Sequence, residues 1–117
     1  MTIDCGKLKA WPFEAVEQTY SARDTILYAL GIGIGTEPTN PDHLRFLYEE
    51  RIEAFPTMAA VLAGPGLWLK DPATGVDGTK LLHGEQSITL LQPLPAEGTV
   101  TARSRVTAIA DKGAGKG

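Results

Sequence analysis

Cysteine is almost absent: Cys5 is the only one in 117 residues. A single thiol closes no intrachain disulfide, so a reducing compartment fits. Cys5 sits in a polar N-terminal segment with no histidine beside it, which argues against a catalytic thiol. Apolar runs are short as well. Nothing approaches the ~20 residues that a membrane-crossing helix needs, and MTIDCGKLKAWPFE shows no continuous apolar core of a secretory signal. Net basic charge is missing too. Eleven Lys and Arg stand against fourteen Asp and Glu, a formal charge of −3, which speaks against nucleic acid as the main partner. Histidine is scarce: His43 and His83 have no histidine three or four residues away, and no H-E-x-x-H occurs, so a zinc site is not expected. No G-x-S-x-G elbow appears, which leaves a serine hydrolase of that type unsupported.

What is present is ordinary globular composition, 43% hydrophobic and 21% charged, enough for one domain with a modest core. The clearest local signal is Ser21-Ala22-Arg23-Asp24, a capping box of the S-x-x-D type. It opens a helix, TILYALG, with Leu27 and Leu30 three apart and Gly31 as the expected C-cap. Residues 12–20 read only as the approach to that helix. Residues 31–42, GIGIGTEPTNPD, read as loop, and 43–50, HLRFLYEE, as a short strand or a helical turn. A second short helix is expected over 56–63, stopped by Gly64-Pro65-Gly66, followed by loop over 68–80. Two strands are then expected, 81–91 and 99–109. In the second, Val100, Ala102, Val106 and Ala108 alternate with Thr101, Arg103, Arg105 and Thr107, the period of a half-buried strand. Two strands alone bury too little to be stable. Either a partner supplies the rest of the sheet or the chain is a fragment of a longer protein.

Glycine-rich stretches invite nucleotide readings that the spacing does not support. Gly31, Gly33 and Gly35 follow a helix rather than a strand and complete no G-x-G-x-x-G. The terminal KGAGKG lacks the spacing of a phosphate loop, and Gly117 offers no hydroxyl after Lys116. A glycine-rich backbone beside Lys112 can still approach a ligand phosphate closely. Arg103, Arg105, Lys112 and Lys116 crowd this end against Asp111 alone, so a small anionic ligand fits there despite the acidic total. Glu49 follows the apolar run LRFLY and reads equally as a solvated charge or an inward-pointing one. Glu50 and Glu53 read as solvated. The segment LLHGEQ opens the first expected strand with polar and small residues. Strict alternation puts His83, Glu85, Ser87 and Thr89 on one face, and on pattern alone a solvent-facing strand end is the simpler reading of His83.

Taken in order, YSARDTILYALGIGIG, LRFLYE, FPT, LLHGEQ, PLPAEGTV and ADKGAGKG closely resemble the N-terminal half of the MaoC-like 2-enoyl-CoA hydratases of type 2. That family includes the hydratase domain of peroxisomal multifunctional enzymes of type 2 and two-repeat bacterial homologues. The resemblance covers residues 12–117. It implies an α+β hot-dog fold, doubled in one chain. Residues 1–117 would be the N-terminal repeat, cut before its closing strands and before the catalytic second repeat. It implies addition of water to trans-2-enoyl-CoA to give (3R)-3-hydroxyacyl-CoA, with no cofactor, coenzyme A being part of the substrate.

The family's catalytic motif, G-D-x-N-P-x-H, belongs to the second repeat and is absent here. Asn40-Pro41-Asp42-His43 mimics its tail, but Glu37 and Pro38 stand where the glycine and aspartate should be, and the match reads as coincidence. The catalytic pair is therefore not expected in this chain. The resemblance assigns His83 and Gly84 to the CoA thioester, Lys112 to the CoA moiety and Glu49 to a supporting role. It also gives the short 56–63 helix a meaning: space left free for a long acyl chain. The expected partners are an acyl-CoA and either the second repeat or another copy of the chain, with no nucleic acid and no membrane. The expected location is the cytoplasm, or the peroxisome in a eukaryote. Two other functions remain open: another hot-dog thioester activity, such as a thioesterase or an acyl-carrier-protein dehydratase, or a non-catalytic acyl-CoA-binding module.

Overall fold

The structure, a computed structural model, describes residues 2–117. It divides into two compact units. One comprises Val16–Gly64 and Glu85–Ala102; the other takes in the segments up to Ala15, Pro65–Gly84 and Arg103–Gly117.

The first unit carries a two-stranded antiparallel sheet, β1 (Val16–Tyr20) with β2 (Gly98–Ala102), in register from Val16↔Ala102 to Tyr20↔Gly98. The hydroxyls of Thr19 and Thr99 meet across it at 2.8 Å. Helix α1 (Ala22–Gly31) follows β1 directly, and its capping box forms as the sequence predicts. The Ser21 hydroxyl accepts from the Asp24 N–H, and the Asp24 carboxylate accepts from the Ser21 N–H at 2.8 Å. Its buried face is not the leucine face. Thr25 and Ala29 are fully buried, whereas Leu27 and Leu30 are half exposed. Thr25 can be buried because its hydroxyl donates to the Ala96 carbonyl at 2.6 Å, which meets the cost of hiding a polar group. Tyr20, also buried, donates to the Pro95 carbonyl at 2.6 Å, and burial raises its phenol above the ordinary tyrosine value. The segment just before β2 is thus bound to β1 and α1 by two side-chain bonds.

Several expected elements differ. No strand forms over 81–91, and the strand expected over 99–109 is ordered as a ladder only at Gly98–Ala102. The reason is pairing: β2 takes its hydrogen bonds from residues 16–20, some eighty positions earlier, so 81–91 gains no ladder partner there. Its partner β1 falls within residues 12–20, expected only as the approach to the helix; four of its five residues are exposed, so no alternation of burial marks it. Gly31 is the last helical residue rather than the cap, which falls on Ile32. HLRFLYEE resolves toward helix: α2 (Pro41–Leu44) and a 3-10 turn at Glu49–Arg51. The short helix over 56–63 is a 3-10 helix, Pro56–Val61. It buries Met58 and ends before Ala63, a buried non-glycine residue at φ 48° whose N–H donates to the Gln18 side chain at 2.6 Å.

The second unit is built of short turns. A short helix (Cys5–Lys9) starts at Asp4, whose carboxylate accepts from the Lys7 N–H, and buries Leu8. Three 3-10 turns follow at Trp68–Lys70, Pro72–Thr74 and Gly78–Lys80. Asp71 and Asp77 cap the last two through their side chains. Thr74, buried, donates to the Asp71 carbonyl at 2.7 Å. Gly75 closes that turn at φ 72°, and a Cβ there would lie 2.9 Å from the Thr2 carbonyl oxygen. No helix among the described residues is long and apolar enough to cross a membrane.

Candidate functional site

Two stretches, 66–70 and 81–84, with Gly78, line an open cavity of about 480 Å³. Leu67 and the Trp68–Lys70 turn supply one side, including Trp68 and Leu69. The return segment supplies Leu82, His83 and Gly84. The lining is mostly apolar with few polar groups, the ordinary make-up of a small-molecule site, and the volume lies within the usual range of about 300–1,000 Å³. Leucines that would normally be buried are left open to solvent: Leu67 is 72% exposed and Leu82 92%. Trp68 is held by neighbours from the N-terminal segment, 5.6 Å from Trp11 and 4.8 Å from Phe13 between ring centroids.

His83 and Gly84 therefore share one cavity. A Cβ built on Gly84 meets no atom within 4 Å, so the glycine there leaves space that nothing in this chain fills. An imidazole N–H and backbone N–H groups on an apolar wall can donate to a carbonyl oxygen of a bound ligand, a polar contact in surroundings where it counts for more than in water.

The remaining singled-out residues do not join that cavity. Lys112 is exposed; its backbone N–H donates to the Gly117 carbonyl at 2.7 Å, and Gly113 and Gly115 take positive φ in the turn that makes this possible. Gly117 borders a second cavity of about 720 Å³, which Lys70, Asp77 and Lys80 also line. Glu49 lies in the other unit, exposed on its 3-10 turn. Glu53, read as solvated, is exposed and also takes two hydrogen bonds from the Arg45 guanidinium, at 2.7 and 3.0 Å. The Asn40-Pro41-Asp42-His43 stretch has a local structural use. Asn40 caps α2 by accepting from the Asp42 N–H, and the His43 Nδ1 accepts from the Gly35 N–H at 2.9 Å. Among the described residues no group of three or more His, Cys, Asp or Glu is arranged to hold a metal ion.

Sequence reasoning missed Trp68 and Leu69, which it placed in loop, and Leu67, which it left unassigned. The signal was available: three consecutive apolar residues between Gly64-Pro65-Gly66 and Asp71-Pro72 are unusual in a solvated loop.

Comparison with known proteins supplies the remaining context. Residues 18–117 match the family model described as MFE-2 hydratase 2 N-terminal domain. The chain is 33% identical to a probable enoyl-CoA hydratase 2 of Dictyostelium discoideum over 98% of its own length and 40% of the relative's. It is 34% identical to the peroxisomal multifunctional enzyme type 2 of Drosophila melanogaster, over 93% of this chain and 20% of that protein. It is 37% identical to the 3-hydroxyacyl-thioester dehydratase Y of Mycobacterium tuberculosis, over 83% and 33%. The chain thus spans well under half the length of these relatives. No solved structure matches.

Proposed function

Because the chain belongs to the MFE-2 hydratase 2 N-terminal domain family, we propose that it is the acyl-accommodating half of a (3R)-specific 2-enoyl-CoA hydratase. In this reading residues 1–117 are an N-terminal hot-dog repeat, and the aspartate and histidine that handle the water come from a second repeat bearing G-D-x-N-P-x-H. Water oxygen adds to C3 of trans-2-enoyl-CoA and a proton reaches C2. Negative charge gathers on the thioester oxygen on the way, so donors aimed at that oxygen speed the step. The observation that carries the reading from this chain's side is that His83 and Gly84 line the same apolar cavity. There the imidazole and backbone can hold a thioester carbonyl while leucines face the acyl chain. Lys112 offers a positive charge to the CoA phosphates. Glu49, exposed on its turn, would support the reaction through position.

A relative named as a 3-hydroxyacyl-thioester dehydratase favours a second reading in which the same addition runs in reverse, as loss of water. The experiment mixes the 117-residue chain with trans-2-decenoyl-CoA, alone and with a second repeat carrying G-D-x-N-P-x-H. It follows enoyl-thioester absorbance, free thiol and product chirality. The expected result is no reaction alone and (3R)-3-hydroxydecanoyl-CoA with the second repeat. Because one catalyst speeds both directions of the same equilibrium, a kcat for dehydration of added 3-hydroxydecanoyl-CoA above the kcat for hydration would favour the second reading. Release of free thiol, or a (3S) product, would overturn both.

A further inference from the structure

The cavity at His83 has an aromatic wall to which the proposed function gives no task. Trp68 lines it beside Leu67, Leu69 and Leu82. Trp11 and Phe13 do not line it but hold the indole in place: Trp11 tilted at 46°, Phe13 edge-on at 75°. Tilted and edge-to-face contacts are the favoured arrangements of aromatic rings. One tight turn presents both supporting rings, since the Phe13 N–H donates to the Trp11 carbonyl at 2.9 Å. Trp11 and Phe13 precede residue 18, where the family match begins. The wall is therefore fixed, while the leucines beside it stand open to water.

A fixed flat wall flanked by exposed leucines fits an extended aliphatic chain, with the polar end of the ligand at His83 and Gly84. Each methylene such a wall removes from water strengthens binding about fourfold. A chain too short to reach the indole gains nothing from it. We infer that Trp68, positioned by Trp11 and Phe13, is the residue that sorts acyl chains by length, favouring long over short. The inference rests on the acyl-CoA reading for the identity of the ligand's polar end, but not for the aliphatic chain.

The test uses unreactive thioethers, butyl-CoA and decyl-CoA, together with S-decyl-N-acetylcysteamine, which lacks the nucleotide. In a Trp11→Phe background Trp68 is the sole indole, and its emission reports contact directly. Decyl-CoA is expected to shift that emission to the blue and butyl-CoA to leave it unchanged. Trp68→Ala should weaken decyl-CoA binding about tenfold and butyl-CoA binding less than about twofold. Trp68→Phe, which keeps an aromatic ring against Phe13, should fall between. Phe13→Leu should narrow the decyl-to-butyl preference without touching the cavity itself, a change in ratio that a loss of folding alone would not produce. Equal weakening of both thioethers by Trp68→Ala, or decyl-CoA binding with no change in Trp68 emission, overturns the inference and leaves the acyl-CoA reading standing. Tight S-decyl-N-acetylcysteamine binding with the emission shift, and no gain from the CoA portion, upholds the inference and removes CoA from the reading. No binding of any of the three overturns it.

Discussion

The two units are held by different means. In the unit of β1, α1 and β2, distant parts of the sequence are tied by a ladder, by Tyr20 to Pro95 and by Thr25 to Ala96. Tyr20, Thr25, Ala29 and Met58 are each no more than 2% exposed. In the unit that carries His83, most bonds are local. Asp71 caps its own turn and Asp77 caps the next; the aromatic cluster is the main long-range tie. The difference separates two jobs. Burial and long-range bonding fix a backbone, and local capping shapes a wall that keeps apolar residues open to a ligand. A site made of turns costs stability that it does not itself return.

The largest expected effect breaks the first side of that comparison. Met58→Ala should destabilise the chain by about 2–5 kcal/mol, because it empties a fully buried volume. Leu82→Ala, at a residue 92% exposed, should change stability by no more than about 0.5 kcal/mol. Urea unfolding of both variants decides it. Similar losses would mean that the wall around His83 is as much core as Met58.

Two glycines sharpen the second side. Gly75→Ala places a Cβ 2.9 Å from the Thr2 carbonyl in a residue at φ 72°, which should cost about 1–2 kcal/mol for the left-handed backbone alone. Gly84→Ala meets open space and should leave unfolding unchanged while weakening acyl-thioester binding. Calorimetry with decyl-CoA alongside the melts would show the split. A Gly84→Ala melt that falls as far as that of Gly75→Ala would make both glycines structural.

How much of this was legible beforehand follows the same division. The Ser21–Asp24 capping box was readable because it is written within four residues and forms as written. The 56–63 helix was readable in place but not in type, since Pro56 and a run without charged residues do not distinguish α from 3-10. The sheet was not readable. Its two strands lie about eighty residues apart, one shows no alternation of burial, and the stretch that did look like a partner, 81–91, forms no strand. On the site side, His83 and Gly84 were singled out together and do share a cavity. Trp68 was passed over because reading 68–80 as loop hid what its apolar residues were for. Pairing between distant segments is a tertiary fact that local propensity does not encode.

A smaller effect concerns Lys112, the residue proposed to meet the CoA phosphates. It is exposed, so it acts as a screened point charge. In the enzyme assembled with the second repeat, Lys112→Ala should raise KM for enoyl-CoA several-fold and leave kcat nearly unchanged, since the charge is felt alike by ground and transition states. The effect should shrink in high salt and vanish with pantetheine thioesters that lack the nucleotide phosphates. An equal loss on pantetheine substrates would make Lys112 part of the local fold of its glycine turn instead.

The smallest effect compares the same device in both units. Asp24 caps α1, and bonds from the Ser21 backbone and then its hydroxyl hold its carboxyl below the ordinary value. Asp77 caps a three-residue turn, and the Thr79 hydroxyl and then the Thr79 backbone lower it in the same way. A carboxyl whose folded pKa is depressed stabilises the fold fully above its unfolded value of about 3.9, and that contribution is lost as pH falls through the folded pKa. Both residues should therefore respond as pH falls below about 4, but only Asp24→Asn should flatten the acid limb of global stability, Asp77→Asn removing a local response alone. The readouts should differ. Asp24 closes the first turn of a ten-residue helix whose buried face holds Thr25 and Ala29, so its protonation should appear as loss of helical circular dichroism coupled to global unfolding. Asp77 secures only Gly78–Lys80, so its protonation should appear as faster hydrogen exchange of the Thr79 amide with no change in the global midpoint. If Asp77→Asn moved the global acid midpoint as far as Asp24→Asn, the turns around His83 would unfold together with the sheet, and the division between a bonded backbone and a locally capped wall would not hold.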